Sequence, residues 1–184
     1  MKERQEIILK TLSDSNYPII GNTKIQKLVF LVSKESIDAE SVASEFNFYA
    51  HKYGPFSKVL SDDIDFLVGL GYLYSSDTPK SEDITLDDID DISADDLLSD
   101  ESPSDEYDNV NCEEDDTEKG NVIYKITDKG LNYLKEKNLL TQNTIDGVVK
   151  KYAQMSLTDI LYYVYNQYPE YTGESEIKER VLNG

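Results

Sequence analysis

The chain has 184 residues, a length that suits one hydrophobic core or one core with a small appendage. Its 37 acidic side chains outnumber 18 basic ones, for a formal charge of −19, yet residues 81–119 hold 18 of those acids against Lys119 alone. The rest of the chain is therefore close to neutral, which excludes the evenly acidic surface of a halophile and describes a globular body carrying one acidic insert.

A single cysteine, Cys112, excludes an intrachain disulfide, and one histidine with no tryptophan leaves few groups from which to assemble a nucleophile and its base. No phosphate loop, nucleophile elbow or dinucleotide fingerprint is present, so the expectation is a non-enzymatic protein without a cofactor. Apolar runs such as Leu28 to Val32 fall far short of the roughly 20 residues that cross a bilayer. The chain opens on Lys2, Glu3 and Arg4 rather than a secretory leader, and the reading is a cytoplasmic protein with no membrane partner.

In chain order, Ile7, Ile8 and Leu12 recur at helical spacing between Arg4 and Leu12, and Pro18 and Gly21 close that first segment. A second helix starts at Asn22 or Thr23 and runs through Ile25, Leu28, Val29 and Val32 to about Ser36, with Lys24, Lys27 and Lys34 assigned to its polar face. Glu45 to Tyr49 alternates, Phe46 and Phe48 on one side of Asn47, and predicts a short half-buried strand that Gly54-Pro55 ends. Ser57 is placed to cap a third helix with Leu60, Ile64, Leu67 and Val68 on its apolar face and Lys58, Asp62, Asp63 and Asp65 mostly elsewhere, and Gly69 and Gly71 stop it.

Tyr72 to Ser75 and Val122 to Ile126 are rich in β-formers, and Thr127 is suited to cap a helix containing Leu131 and Leu134. The order helix, helix, strand, helix, strand, strand, helix predicts a mainly α fold with a small β-sheet, α+β: a winged helix-turn-helix over residues 1–140. Residues 77–120 then form a disordered acidic insertion in the wing, because Asp, Glu and Ser dominate and there is little apolar surface to offset the entropy of ordering. Lengthening a loop from about 4 to about 40 residues costs only about 2 kcal/mol, so the domain can carry it. Residues 141–184 form a C-terminal helical extension, Ile145 to Ala153, Leu157 to Tyr168 after Ser156, and a short helix within Glu174 to Leu182. The extension packs on the domain or forms a dimer contact, and the reading is a homodimer through these Tyr-rich helices, with Leu161 and Val164 as the contact residues.

The run Lys24-Ile25-Gln26-Lys27-Leu28-Val29-Phe30-Leu31, followed by Phe46-Asn47-Phe48-Tyr49, Tyr53-Gly54-Pro55-Phe56-Ser57, Asp65-Phe66-Leu67 and Gly71-Tyr72-Leu73, resembles the YwgA-like family of bacteria, archaea and their mobile elements. Tyr124 to Gly130 and Tyr165 to Tyr171 follow the same pattern, so the resemblance spans most of the chain outside the insert. It implies a winged-helix fold. The Gly54-Pro55-Phe56-Ser57 element is also similar to a turn of the phage-associated Panacea antitoxin domain.

A winged helix ordinarily reads DNA with one helix in the major groove, and Lys24, Lys27, Lys52, Lys58, Lys125 and Lys129 are the candidate phosphate contacts. Asp62, Asp63 and Asp65 oppose that reading unless their face points away. The alternative is a protein-binding module, antitoxin-like or associated with mobile elements. The insert is read in three ways: as an inert solvated loop, as an electrostatic autoinhibitor folded back on the basic face, or as a partner motif built on Ile84, Leu86, Ile89, Ile92, Leu97 and Leu98. No metal is expected, since the carboxylate clusters lack the spacing of a calcium loop and the lone Cys and lone His lie far apart. His51 is read as structural or surface, and Cys112 as unreactive among acids.

Overall fold

The computed structural model describes residues 1–36, 44–77, 122–140 and 145–183. It contains helix α1 (Glu3–Asp14), strand β1 (Ile19–Ile20), helix α2 (Asn22–Glu35), strands β2 (Tyr49–His51) and β3 (Gly54–Phe56), and helix α3 (Lys58–Gly69). Strands β4 (Leu73–Asp77) and β5 (Val122–Ile126) follow, then α4 (Asp128–Glu136), α5 (Asp146–Tyr152), α6 (Leu157–Gln167), a 3-10 turn at Pro169–Tyr171, and α7 (Lys178–Asn183). The architecture is mainly helical with small antiparallel sheets.

Helix α2 forms the centre. Ile25, Leu28, Val29, Phe30, Leu31 and Val32 are all buried, which leaves no solvent face along its middle, as befits a helix apolar on every side. It packs against α5, α6, β1 and β3, while α1 lies against α3, α4, α5 and β5. Residues 145–183 are therefore joined to the body through the central helix. Leu161 and Val164 point into this core, fully buried, so these two residues are corrected from dimer-contact residues to core residues, and α6 packs on α2 within the chain.

Strands β4 and β5 pair antiparallel from Leu73 opposite Ile126 to Asp77 opposite Val122, so the two limbs flanking the acidic tract are neighbours, as the sequence order requires. Strand β1, not foreseen because two residues carry no periodicity, joins the other edge of β5 with Ile19 opposite Tyr124, giving the sheet order β1-β5-β4. The acidic insertion of 77–120 lies outside the described residues beyond Asp77.

The strand expected at Glu45 to Tyr49 is displaced. Residues 44–46 are helical, and Asn47 takes a left-handed conformation at φ +48°, which a short amide side chain tolerates and an extended strand does not contain. Phe46 is buried by the turn, not by alternation. The extended stretch starts at Tyr49 and, instead of stopping at Gly54-Pro55, turns through Lys52-Tyr53 into β3, with Tyr49 opposite Phe56 and His51 opposite Gly54. Gly54 sits at φ +83°, and a Cβ there would lie 2.8 Å from the Tyr165 ring, so glycine is required on both counts.

Candidate functional site

The motifs singled out in the sequence meet at the junction of α2 with the β2–β3 hairpin. The Gln26 amide accepts from Ser57 N at 2.9 Å and donates to Ser57 O and to Ser61 Oγ, both at 3.0 Å. Lys27 Nζ donates to the Pro55 carbonyl at 3.0 Å, and Ser57 Oγ donates to the Phe46 carbonyl while accepting from Leu60 N at 3.0 Å. Ser57 thus caps α3 as expected. Two polar side chains of a buried helix satisfy the backbone of Pro55 and Ser57, a structural clasp that explains why Gln and Lys stand where the apolar pattern calls for hydrophobes.

Lys27 is consequently corrected from surface phosphate contact to interior residue. Lys24 is half-buried at the start of α2. Lys52, in the hairpin turn, lies 3.8 Å from Glu176, and Lys58 lies 3.4 Å from Asp62 one turn along α3. Lys125 is exposed on β5 opposite Tyr74 of β4. Lys129 donates to the Leu70 carbonyl at 2.6 Å with its ammonium 4.6 Å above the Tyr72 ring. Apart from Lys24 and Lys27 on α2 these cations occupy separate elements, and Lys27, Lys52, Lys58 and Lys129 are held by acidic or carbonyl oxygens.

The outward face of α3 has a different chemistry. Its apolar face binds β4 and α1, and one of its three central carboxylates turns inward: Asp63 is buried against Arg4 and accepts from Gln5 Nε2 at 2.7 Å, so it is no part of the surface. Asp62, Asp65, Phe66, Gly69 and Leu70 are exposed along one stripe at spacings of three and four residues. Phe66 is 50% and Leu70 42% exposed, and Tyr74 on the next strand is 53% exposed, a concentration of large apolar groups that a merely solvated helix lacks. The helix ends where Leu70 passes into Gly71 at φ +71°, with Gly71 N on Val68 O and Tyr72 N on Leu67 O closing the last turn.

A second cluster, missed in the sequence because its members are far apart, surrounds Glu35 at the end of α2. Tyr152 Oη donates to both carboxylate oxygens at 2.9 and 2.7 Å, and Tyr163 and Tyr168 donate to Oε1 at 3.0 and 3.3 Å. Lys151 Nζ lies 3.7 Å from Oε2. Burial, then hydrogen bonding to Tyr163 and the charged Glu35, pushes the Tyr152 phenol well above its ordinary range, and burial with the charge of Glu35 does the same to Tyr168. Partial burial, then the hydrogen bond that Tyr133 donates to Glu6 at 2.5 Å, pushes its phenol up to about 12.

His51 stacks on Phe56 at 4.9 Å between ring centroids, the structural role expected of it. Among the described residues no group of three or more potential ligands could hold a metal ion, and no helix is long and apolar enough to cross a membrane. Cys112 and the partner-motif residues Ile84, Leu86, Ile89, Ile92, Leu97 and Leu98 lie outside the described residues. Comparison of the chain with protein-family models and with curated proteins finds no match.

Proposed function

We propose that the protein is a non-enzymatic winged-helix module that engages a protein partner through the outward face of α3. The order α1-β1-α2-β2-β3-α3-β4-β5 with the sheet order β1-β5-β4 supports the winged-helix reading, β4 and β5 forming the wing, α3 taking the recognition position and the β2–β3 hairpin standing between α2 and α3. The motif resemblance to YwgA-like proteins points the same way. The carrying observation is the stripe Asp62, Asp65, Phe66 and Leu70: two carboxylates beside two exposed large apolar side chains, in the place where a DNA reader presents bases.

Carboxylates there repel phosphates, whereas a basic protein surface bearing an apolar anchor complements both components. The chain's overall charge of −19 favours the same kind of partner through long-range attraction. The DNA reading rests on Lys125 and Lys129 beside the wing. Fluorescence anisotropy with mixed-sequence duplex DNA at low salt separates the two. The protein-binding reading expects no saturable binding by the full chain or by a form lacking 81–119, which also removes any electrostatic screen by the insert. Saturable, salt-sensitive binding lost on neutralising Lys125 and Lys129 overturns it.

A further inference from the structure

The Glu35 cluster lies at a convergence of helix ends. Glu35 is the last residue of α2, Tyr152 is the last residue of α5, and Tyr168 is the C-cap of α6. Each of these ends carries the negative pole of its helix, so a carboxylate placed among them sits in an adverse potential. Such a place holds a negative charge only when positive charge or hydrogen-bond donors are directed at it. Three phenols supply donors, and one cation completes the set.

That cation is Lys151, whose ammonium donates to the Tyr152 hydroxyl beside the Tyr163 ring and the Glu35 carboxylate. Its Nζ lies 4.4 Å from the Tyr152 ring centroid and 5.1 Å from that of Tyr163, 2.5 Å from Tyr152 Oη and 3.7 Å from the carboxylate of Glu35. A phenol oxygen, one aromatic ring and a carboxylate together offer what an ammonium ion seeks. The Lys151 side chain is 55% exposed and Glu35 22%, so the position opens to solvent on the side from which the lysine enters. A lysine on a flexible four-carbon stem has nothing else fixing its ammonium there, and it can swing out to water.

We propose that Glu35, Tyr152, Tyr163 and Tyr168 form a binding site for an alkylammonium group, occupied in cis by Lys151, which an external ammonium of the same chemistry displaces. This site is independent of the α3 face. The ligand is a lysine side chain, methylated or not, or a small quaternary amine. Tethering makes Lys151 a competitor at high effective concentration, so its removal exposes the site.

The test titrates the full-length protein and its Lys151→Ala variant with tetramethylammonium, with the N-acetyl, C-amide derivative of trimethyllysine, and with the matching norleucine derivative, following the tyrosine ring protons by NMR. Lys151→Ala, at a half-exposed position, leaves the fold intact by circular dichroism and binds the ammonium ligands about tenfold more tightly than the parent, an estimate from displacement of one cation from a ring, a phenol oxygen and a carboxylate. Tighter binding of the lysine derivative than of tetramethylammonium assigns the site to a protein side chain, and equal binding to a free amine. In the Lys151→Ala background, Tyr163→Phe keeps binding because the ring remains, whereas Tyr163→Ala and Glu35→Gln weaken it. A folded Lys151→Ala protein with no saturable ring shifts, or one that binds norleucine amide equally well, overturns the proposal.

Discussion

Gln26 holds Ser57 from both sides, its amide oxygen on the Ser57 N–H and its amide nitrogen on the Ser57 carbonyl, with the whole contact out of water. Replacing it by alanine leaves the Ser57 N–H without its acceptor in a buried setting, and Gln26→Ala is expected to lower the unfolding free energy by about 2 kcal/mol in a urea titration. A loss near zero would mean that the clasp is incidental. The tyrosines give a second expectation at this scale. Tyr133, Tyr152, Tyr165 and Tyr168 have folded-state values raised above the ordinary 10.0, chiefly by burial. A raised value means that the native state holds the proton more tightly, so this stabilisation is complete below pH 10 and is lost as the pH rises from there towards the folded values. Phenolate absorbance should show these four ionising above pH 10, with their ionisation coinciding with loss of helical circular dichroism. Simultaneous titration of every tyrosine near pH 10 in a folded protein would contradict the hydrogen-bonded burial described.

Caps were the most legible features of the elements, because they depend on one side chain and the next turn. Ser57, Thr127 and Ser156 accept from Leu60 N, Gly130 N and Asp159 N at 3.0, 3.2 and 3.0 Å, as their positions before apolar runs predict. The β4–β5 pair was legible from β-forming composition on both sides of the acidic tract. The segment around Asn47 was not, since alternation over five residues cannot distinguish a strand from a turn whose one left-handed residue sends both phenylalanines inward. Lys27 and Asp63 misled for a related reason: helical spacing places a charge on a face, but only the tertiary partners, the Pro55 carbonyl for one and Arg4 with Gln5 for the other, decide whether that face is wet. The Glu35 cluster was invisible for want of any local signal, its phenols lying more than a hundred residues along the chain. Helix α6 carries an expectation of its own. Leu161 is enclosed between α6 and the core, so Leu161→Ala should cost about 2 to 5 kcal/mol of stability. Sedimentation of the folded variant should match that of the parent, and a shift to a smaller species with stability unchanged would restore the dimer contact.

At the scale of the molecule, charge is divided between an acidic tract leaving the β4–β5 pair and a body whose cations are mostly spoken for. Lys10 pairs with Asp14, Lys150 with Asp146 and Lys151 with Glu35, and on the outward face of α3 Lys58 pairs with Asp62 beside Asp65 and the exposed Phe66 and Leu70. A winged-helix topology usually suggests nucleic acid, and the sequence order led there first. The exposed side chains of α3 are the ground for proposing a basic, apolar-anchored protein partner instead. The most direct measurement places a benzophenone photocrosslinker at Phe66, with the same group at the distant exposed Tyr162 as control, and irradiates the protein in its native cells. The account predicts a discrete protein adduct at position 66 that is absent at 162 and is lost when Asp62 and Asp65 are both replaced by lysine. An adduct with DNA at position 66, or a protein adduct indifferent to that charge reversal, would contradict it.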